Sequence, residues 1–385
     1  MKPTFAAAMR RAVLSTRACD PVEATRILQD ALAQQTGFQQ PAADSKRPLS
    51  MRLIDPGAEI IPPSRTQLEP MQRKSLGDVL QILKDGKSRF RAFETLRNRS
   101  VGTPTPIAEG AQFIARSSAC AAGARSYKLY IPASAPTRPN GLIVMLHGCK
   151  QNPDDFASGT AMNTVAETHG LVVAYPSQNS SANASLCWNW FSPPDQMRDR
   201  GEPAIIAGIT RELISEFGIA NKRSFVAGLS AGGAMAAIMG QTYPDLYAGV
   251  GIHSGLASGS ATDVMSAFAT MRGDAPRTAH AARAQIRAIV FHGSSDGLVH
   301  PSNAERIVAQ AAPGHRSRKS APQRMHVNGR SCTRTEIASA EGSPVVEYWL
   351  IEGAGHTWSG GHPSGTYTDV SGPNASREMV RFFLA

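Results

Sequence analysis

The chain has 385 residues, 42% hydrophobic and 18% charged, with 34 Gly and 26 Pro, enough to bury the core of one large or two modest domains. This excludes a chain disordered throughout, a collagen and a coiled coil; apolar runs such as 141–146 also fall far short of the roughly 20 residues a bilayer span needs. The 40 Lys+Arg against 30 Asp+Glu give +10, unevenly placed: residues 1–110 hold 17 against 11, leaving 23 against 19 for the 275 that follow. The densest basic run, His315 to Lys319, lacks interleaved aromatics and reads as a solvated loop, so no nucleic-acid partner is expected.

Five cysteines, Cys19, Cys120, Cys149, Cys187 and Cys332, are too scattered for a disulfide framework or zinc-ligand spacing, and no metal or cofactor is expected. Near the N-terminus Lys2, Arg10 and Arg11 interrupt the apolar residues, so no signal-peptide h-region forms and the protein reads as unexported.

In chain order, residues 4–18 place Phe5, Met9, Val13 and Leu14 at helical spacing, and Asp20-Pro21 opens a second helix through Ile27, Leu28 and Leu32. Residues 36–73 turn polar and Pro-rich, as an extended linker does, and 75–93 form one more amphipathic helix. Residues 1–110 are therefore expected to be a helical arm and linker, serving in packing, dimerisation or surface binding. From 111 the texture changes. Runs at 127–131, 141–146, 171–174, 224–227, 249–252, 288–291 and 345–350 read as strands, and 163–169, 202–217, 231–239 and 303–310 as helices. That alternation predicts an α/β domain over 111–385, a mostly parallel sheet with helices on both faces and its active residues at the carboxyl ends of strands.

The decisive segment runs from Phe225 to Met235. An apolar strand enters Gly228-Leu229-Ser230-Ala231-Gly232 and continues into an Ala-rich helix, the context of a nucleophile elbow, with Ser230 as nucleophile. Gly293-Ser294-Ser295-Asp296-Gly297 matches the same pattern, but Leu298-Val299-His300-Pro301 delays any helix and no Asp followed by His comes after it. Asp296 on that loop makes better sense as the triad acid. His356, in the Gly-bracketed loop after strand 345–350, is then the base, in preference to His362 six residues on.

Two backbone N–H groups should hold the oxyanion: that of Ala231, after the nucleophile, and that of Cys149, in the loop His147-Gly148-Cys149-Lys150-Gln151. His147 reads as a structural, hydrogen-bonded histidine. Trp188, Trp190 and Trp358 flank these loops; core packing is one account, and the loop position beside Ser192-Pro193-Pro194 argues for exposed apolar walls of a substrate cleft. Residues 257–285, with Met265, Phe268 and Met271, fit either a helical cap or packing on the sheet.

Together, Leu146 to Gln151, Cys187-Trp188-Asn189-Trp190-Phe191, Gly228 to Met235, His292 to Asp296 and Gly355 to Gly361 resemble the poly(3-hydroxybutyrate) depolymerase family of esterases. The resemblance runs from about Ser126 to Phe383 and implies an α/β-hydrolase fold, a Ser230, Asp296, His356 triad, an oxyanion contribution at Cys149, and hydrolysis of hydroxyalkanoate polyesters or oligomers. It also implies that Cys149 and Cys187 lie close together; whether they are joined stays open, since cytosol keeps thiols reduced. The layout is similar to that of the intracellular members, so a cytoplasmic setting at a granule surface is expected, with the oligomeric state undetermined. The same family includes feruloyl and acetylxylan esterases, which keeps a carbohydrate esterase as the alternative; a non-catalytic granule-surface protein is a second.

Overall fold

Five strand segments carry no charged residue and are buried along their whole length: β3 (Gly141–Leu146), β4 (Leu171–Pro176), β5 (Ser224–Leu229), β6 (Gly249–His253) and β7 (Ala288–Gly293). Strands of this composition need cover on both faces, the environment of a parallel sheet. The computed structural model describes residues 107–274, 286–312, 318–339, 342 and 344–385, and the arm and linker expected over 1–110 lie, as far as 106, outside the described residues.

The five strands run parallel in the order β4-β3-β5-β6-β7, joined on the β7 side by parallel β11 (Pro344–Ile351). Antiparallel strands extend both edges. On one side lie β2 (Gly123–Ile131) and β1 (Gln112–Cys120); on the other lie β10 (Arg330–Ala338) and, paired to it, β8 (Arg318–Lys319) and β9 (Gln323–Val327). Of these, β2 lengthens the expected strand 127–131, and β1, β8, β9 and β10 are the main addition to the sequence expectation. β1 is exposed at most alternate positions, and β8 and β9 fall where Arg, Lys and Gln give no apolar run.

Of the seven α-helices among the described residues, six cover the sheet. Alternate side chains of the central strands, such as Leu142, Val144, Val226, Val250 and Val290, cluster with Ile206, Ile209 and Leu213 of α3 (Gly201–Phe217), Met235 and Ile238 of α4 (Ala231–Thr242) and Ile307 of α6 (Ser302–Ala311). The intervening side chains, including Ile143, Met145, Val173, Phe225 and Phe291, cluster with Phe156 of α1 (Pro153–Thr160), Val165 of α2 (Met162–His169) and Met379 and Phe383 of α7 (Ala375–Leu384). The period of two along each strand thus fills both layers, and each such buried side chain contributes ~1.5–3 kcal/mol. Phe383 stacks on Phe225 with ring centroids 4.7 Å apart. The architecture is the α/β-hydrolase fold.

Between β6 and β7, Asp263 opens α5 (Val264–Met271) with a capping box to Ser266. Val264, Met265 and Phe268 on this helix are more than half exposed, so they do not pack on the sheet. Two short parallel strands, β12 (Trp358–Ser359) and β13 (Thr368–Asp369), order the segment before α7.

Candidate active site

Ser230 joins β5 to α4 with φ 57° and ψ −120°, a backbone conformation that non-glycine residues rarely adopt. The turn closes because two neighbours lack side chains: a Cβ on Gly228 would overlap the backbone of Gly232, and a Cβ on Gly232 would overlap the carbonyl of Leu146. The Ser230 N–H donates to the His253 carbonyl at 2.9 Å, and the residue remains partly exposed at the carboxyl edge of the sheet. Ala231 is the first residue of α4, so its N–H has no acceptor within the helix.

Facing the elbow is the loop after β3. Gly148 comes so close that a Cβ there would stand 3.6 Å from the Ser230 Cβ. Its N–H donates to Gln151 Oε1 at 2.9 Å, and the Lys150 N–H donates to the Ser185 carbonyl at 2.9 Å. A disulfide joins Cys149 to Cys187, with Cα atoms 4.2 Å apart, so the two residues meet as the resemblance implies and are bonded. His147 is buried. Its Nε2 accepts the Gln178 N–H at 3.1 Å, which leaves the Nδ1 proton to meet the Gly148 carbonyl at 2.8 Å. Burial lowers its pKa to about 4, so the ring is neutral, in keeping with the structural role expected of it.

Asp296 and His356 come from the loops after β7 and β11, which are neighbours in the sheet. The loops are tied together: Ser294 N–H donates to the Ile351 carbonyl at 2.9 Å, Ser295 N–H to the Ala354 carbonyl at 3.0 Å, and Gly353 N–H to Ser294 Oγ at 2.9 Å. His356 Nδ1 then stands 2.8 Å from Asp296 Oδ2, while Asp296 Oδ1 accepts the N–H groups of Leu298 and Val299 at 3.0 and 2.9 Å. Burial pushes the Asp296 carboxyl upward, but the His356 hydrogen bond, the nearby His356 and His292 rings and the Val299 amide outweigh it and hold the pKa below the usual carboxylate value. A carboxylate on Nδ1 fixes the tautomer that leaves His356 Nε2 free to accept a proton. Ser295 is exposed, and His362 is exposed with Nδ1 2.7 Å from Ser364 Oγ.

The tryptophans correct the expectation of exposed cleft walls. Trp188 is 0% exposed, Trp190 5% and Trp358 1%. Each indole of the first and last has found a buried acceptor: Trp188 Nε1 donates to the His147 carbonyl at 3.1 Å and Trp358 Nε1 to Ser376 Oγ at 3.2 Å. Trp190 packs edge-on against Phe191. A loop position did not imply exposure, because Trp188 and Trp190 pack into the core on one face of the sheet and Trp358 into the core on the other.

Sequence reading passed over two supports of the site. The buried Glu202 accepts from Gln178 Nε2 and from the Asn189 N–H at 2.7 Å, and so holds the irregular segment that carries Cys187. The other is His253, whose only sequence signal is a polar residue closing an apolar strand.

Residues 125–315 match the family model described as Esterase PHB depolymerase. The chain is 34% identical over 239 residues, 59% of its length, to a poly(3-hydroxyalkanoate) depolymerase C of Paucimonas lemoignei, and that match spans 56% of the relative. It is 28% identical over 200 residues to a feruloyl esterase B of Thermothelomyces thermophilus, covering 47% of this chain and 67% of that one. Among solved structures, an acetyl xylan esterase from Aspergillus awamori superposes with a TM-score of 0.51 at 22% identity, over 64% of this chain and 93% of that one, a likeness of fold. No helix among the described residues is long and apolar enough to cross a membrane.

Proposed function

We propose that this chain is a serine carboxylic-ester hydrolase that cleaves poly(3-hydroxybutyrate) or its oligomers, a reading supported by the match of residues 125–315 to the family model described as Esterase PHB depolymerase. The observation that carries the reading is the 2.8 Å contact of His356 Nδ1 with a buried Asp296 carboxylate, on loops that leave the same edge of the parallel sheet as the strained Ser230 turn. In this mechanism Ser230 Oγ attacks the ester carbonyl while His356 Nε2 takes its proton. Asp296 holds the imidazole in place and stabilises the imidazolium. The N–H groups of Ala231 and Cys149 receive the negative charge of the tetrahedral oxyanion, from positions set before substrate arrives. Collapse breaks the ester bond, and His356 returns the proton to the departing alkoxide, which leaves as the free hydroxyl of the shortened chain. Water, deprotonated by His356, then releases the acid from Ser230.

The polyester reading draws on the family description and on the depolymerase relative; the feruloyl esterase relative supports cleavage of sugar or aryl esters by the same groups. A non-catalytic granule-surface role would leave the Asp296–His356 pair without a purpose. An association with polyester granules through residues 1–110 remains part of the proposal, because 17 of the 40 Lys+Arg lie there.

A substrate panel with the purified protein decides among these. Release of 3-hydroxybutyrate from amorphous polyester, abolished by Ser230→Ala with the fold retained, is the expected result. Turnover confined to feruloyl or acetyl sugars would reassign the substrate, and full activity in Ser230→Ala would overturn the serine mechanism.

A further inference from the structure

His253 closes β6, the strand lying between those that lead to Ser230 and to Asp296. It is 1% exposed, and no step of the mechanism above uses it. Its main chain and its ring face different parts of the site. The carbonyl accepts the Ser230 N–H at 2.9 Å. The ring is stacked between Phe291 and Trp358, with centroids 5.6 and 5.2 Å away and interplanar angles of 12° and 26°. Its Nε2 lies 3.1 Å from the Ser359 backbone nitrogen and its Nδ1 3.2 Å from Ser254 Oγ.

These contacts define the proton's place. A backbone N–H can only donate, so Nε2 must offer a lone pair and the neutral ring must carry its proton on Nδ1, directed at the Ser254 hydroxyl. Burial, reinforced by the nearby His292 and His356 and opposed by Asp296, brings the ring's pKa down to about 3, so it stays neutral where esterases work. Trp358 and Ser359, which the ring holds by stacking and by hydrogen bond, follow His356 by only two and three residues.

We propose that His253 is a positioning residue: its imidazole clamps the 356–359 segment to the same residue whose carbonyl holds the Ser230 amide, so nucleophile and base share one rigid support. The proposal rests on the reading of Ser230, Asp296 and His356 as a triad. A ring that merely fills space needs only its shape, whereas a clamp needs an acceptor where Nε2 stands. Without one, the buried Ser359 N–H loses its partner and the segment shifts to find another, carrying His356 with it. Displacements of about 1 Å at a catalytic group cost on the order of 10²-fold in rate.

Two variants separate the roles. His253→Gln reaches the Nε2 position with its Oε1, whereas His253→Asn, one methylene shorter, does not; both remove the aromatic ring. The expected result is a kcat about 10²-fold lower in His253→Asn with KM unchanged, kcat within roughly fivefold of the parent in His253→Gln, and slower labelling of Ser230 by a fluorophosphonate in step with kcat. Equal kcat in the two variants, or losses that follow their melting temperatures alone, would overturn the clamp. Should either variant fail to fold, the parent protein still decides: 15N-histidine NMR must show His253 neutral and protonated on Nδ1, and a proton on Nε2 refutes the proposal. Ser230→Ala in parallel keeps the outcomes distinct, since its retained activity would refute the triad rather than the clamp.

Discussion

A Cβ on Gly232 would overlap the carbonyl oxygen of Leu146, so the first turn of α4 and the end of β3 touch backbone to backbone. This contact brings the loop that carries Cys149 up against the Ser230 turn. Gly232→Ala should therefore separate the two, with a stability loss at or above the ~1–3 kcal/mol of ordinary overpacking. Thermal unfolding would show the loss, and kcat should fall more than KM changes, because in the proposed mechanism the displaced Cys149 N–H receives the oxyanion and forms no binding wall.

Trp188 supports the same loop from below through its hydrogen bond to the His147 carbonyl. Trp188→Phe keeps most of the buried ring but leaves that carbonyl without its donor, at a cost of about 1–3 kcal/mol. The melting temperature should drop while KM for small esters stays unchanged; a large KM change with an unchanged melting temperature would restore the cleft-wall role that its burial excludes.

The Cys149–Cys187 bond closes a separation of 38 residues next to the proposed oxyanion hole. Cys187→Ser should cost about 3–4 kcal/mol through the longer reach of the unfolded chain, and should lower kcat as Cys149 loses its anchor. Such a bond also bears on where the protein works, because the cytosol keeps thiols reduced. Peptide mapping of protein isolated from its native cells without added reductant should recover 149 and 187 as a linked pair; recovery as two thiols would fit the cytoplasmic setting instead.

Acid should destabilise the protein through its buried neutral histidines. His147 and His253 have folded pKa values lowered to about 4 and about 3, below the ordinary 6.5, so as pH falls beneath 6.5 the unfolded chain binds protons that the folded one refuses. Their stabilisation is complete above 6.5 and is lost progressively toward pH 4 and then 3. Asp296, with a lowered carboxyl, adds to the loss below its ordinary value; Glu202, raised chiefly by burial, works in the opposite sense between its ordinary and raised values. The melting temperature should fall from pH 6.5 to pH 4, and less steeply in His147→Asn; a flat profile would contradict the buried neutral state.

Much of this architecture is legible in the amino-acid order because it is written locally. An uncharged strand such as 224–229 must be covered on both faces, Gly-x-Ser-x-Gly between strand and helix can only be a tight turn, and the loops of Asp296 and His356 each follow a strand by three to five residues. β1, the short β8 and β9 carry no such pattern, since they are held chiefly by backbone pairing, and β1 and β9 have no residue buried outright.

The sequence by itself determined the buried strands and the tight turn at Ser230, and it singled out Asp296 and His356 as the candidates to serve that residue, since those follow from periodicity, glycine placement and chain order. Only the tertiary structure decided that Trp188, Trp190 and Trp358 are buried, that Cys149 and Cys187 are joined, and that His253 touches both the Ser230 amide and the segment after His356. Those facts depend on which groups distant in the chain meet once the sheet is closed, and neither burial nor a hydrogen-bond partner is a property of a residue taken with its neighbours alone.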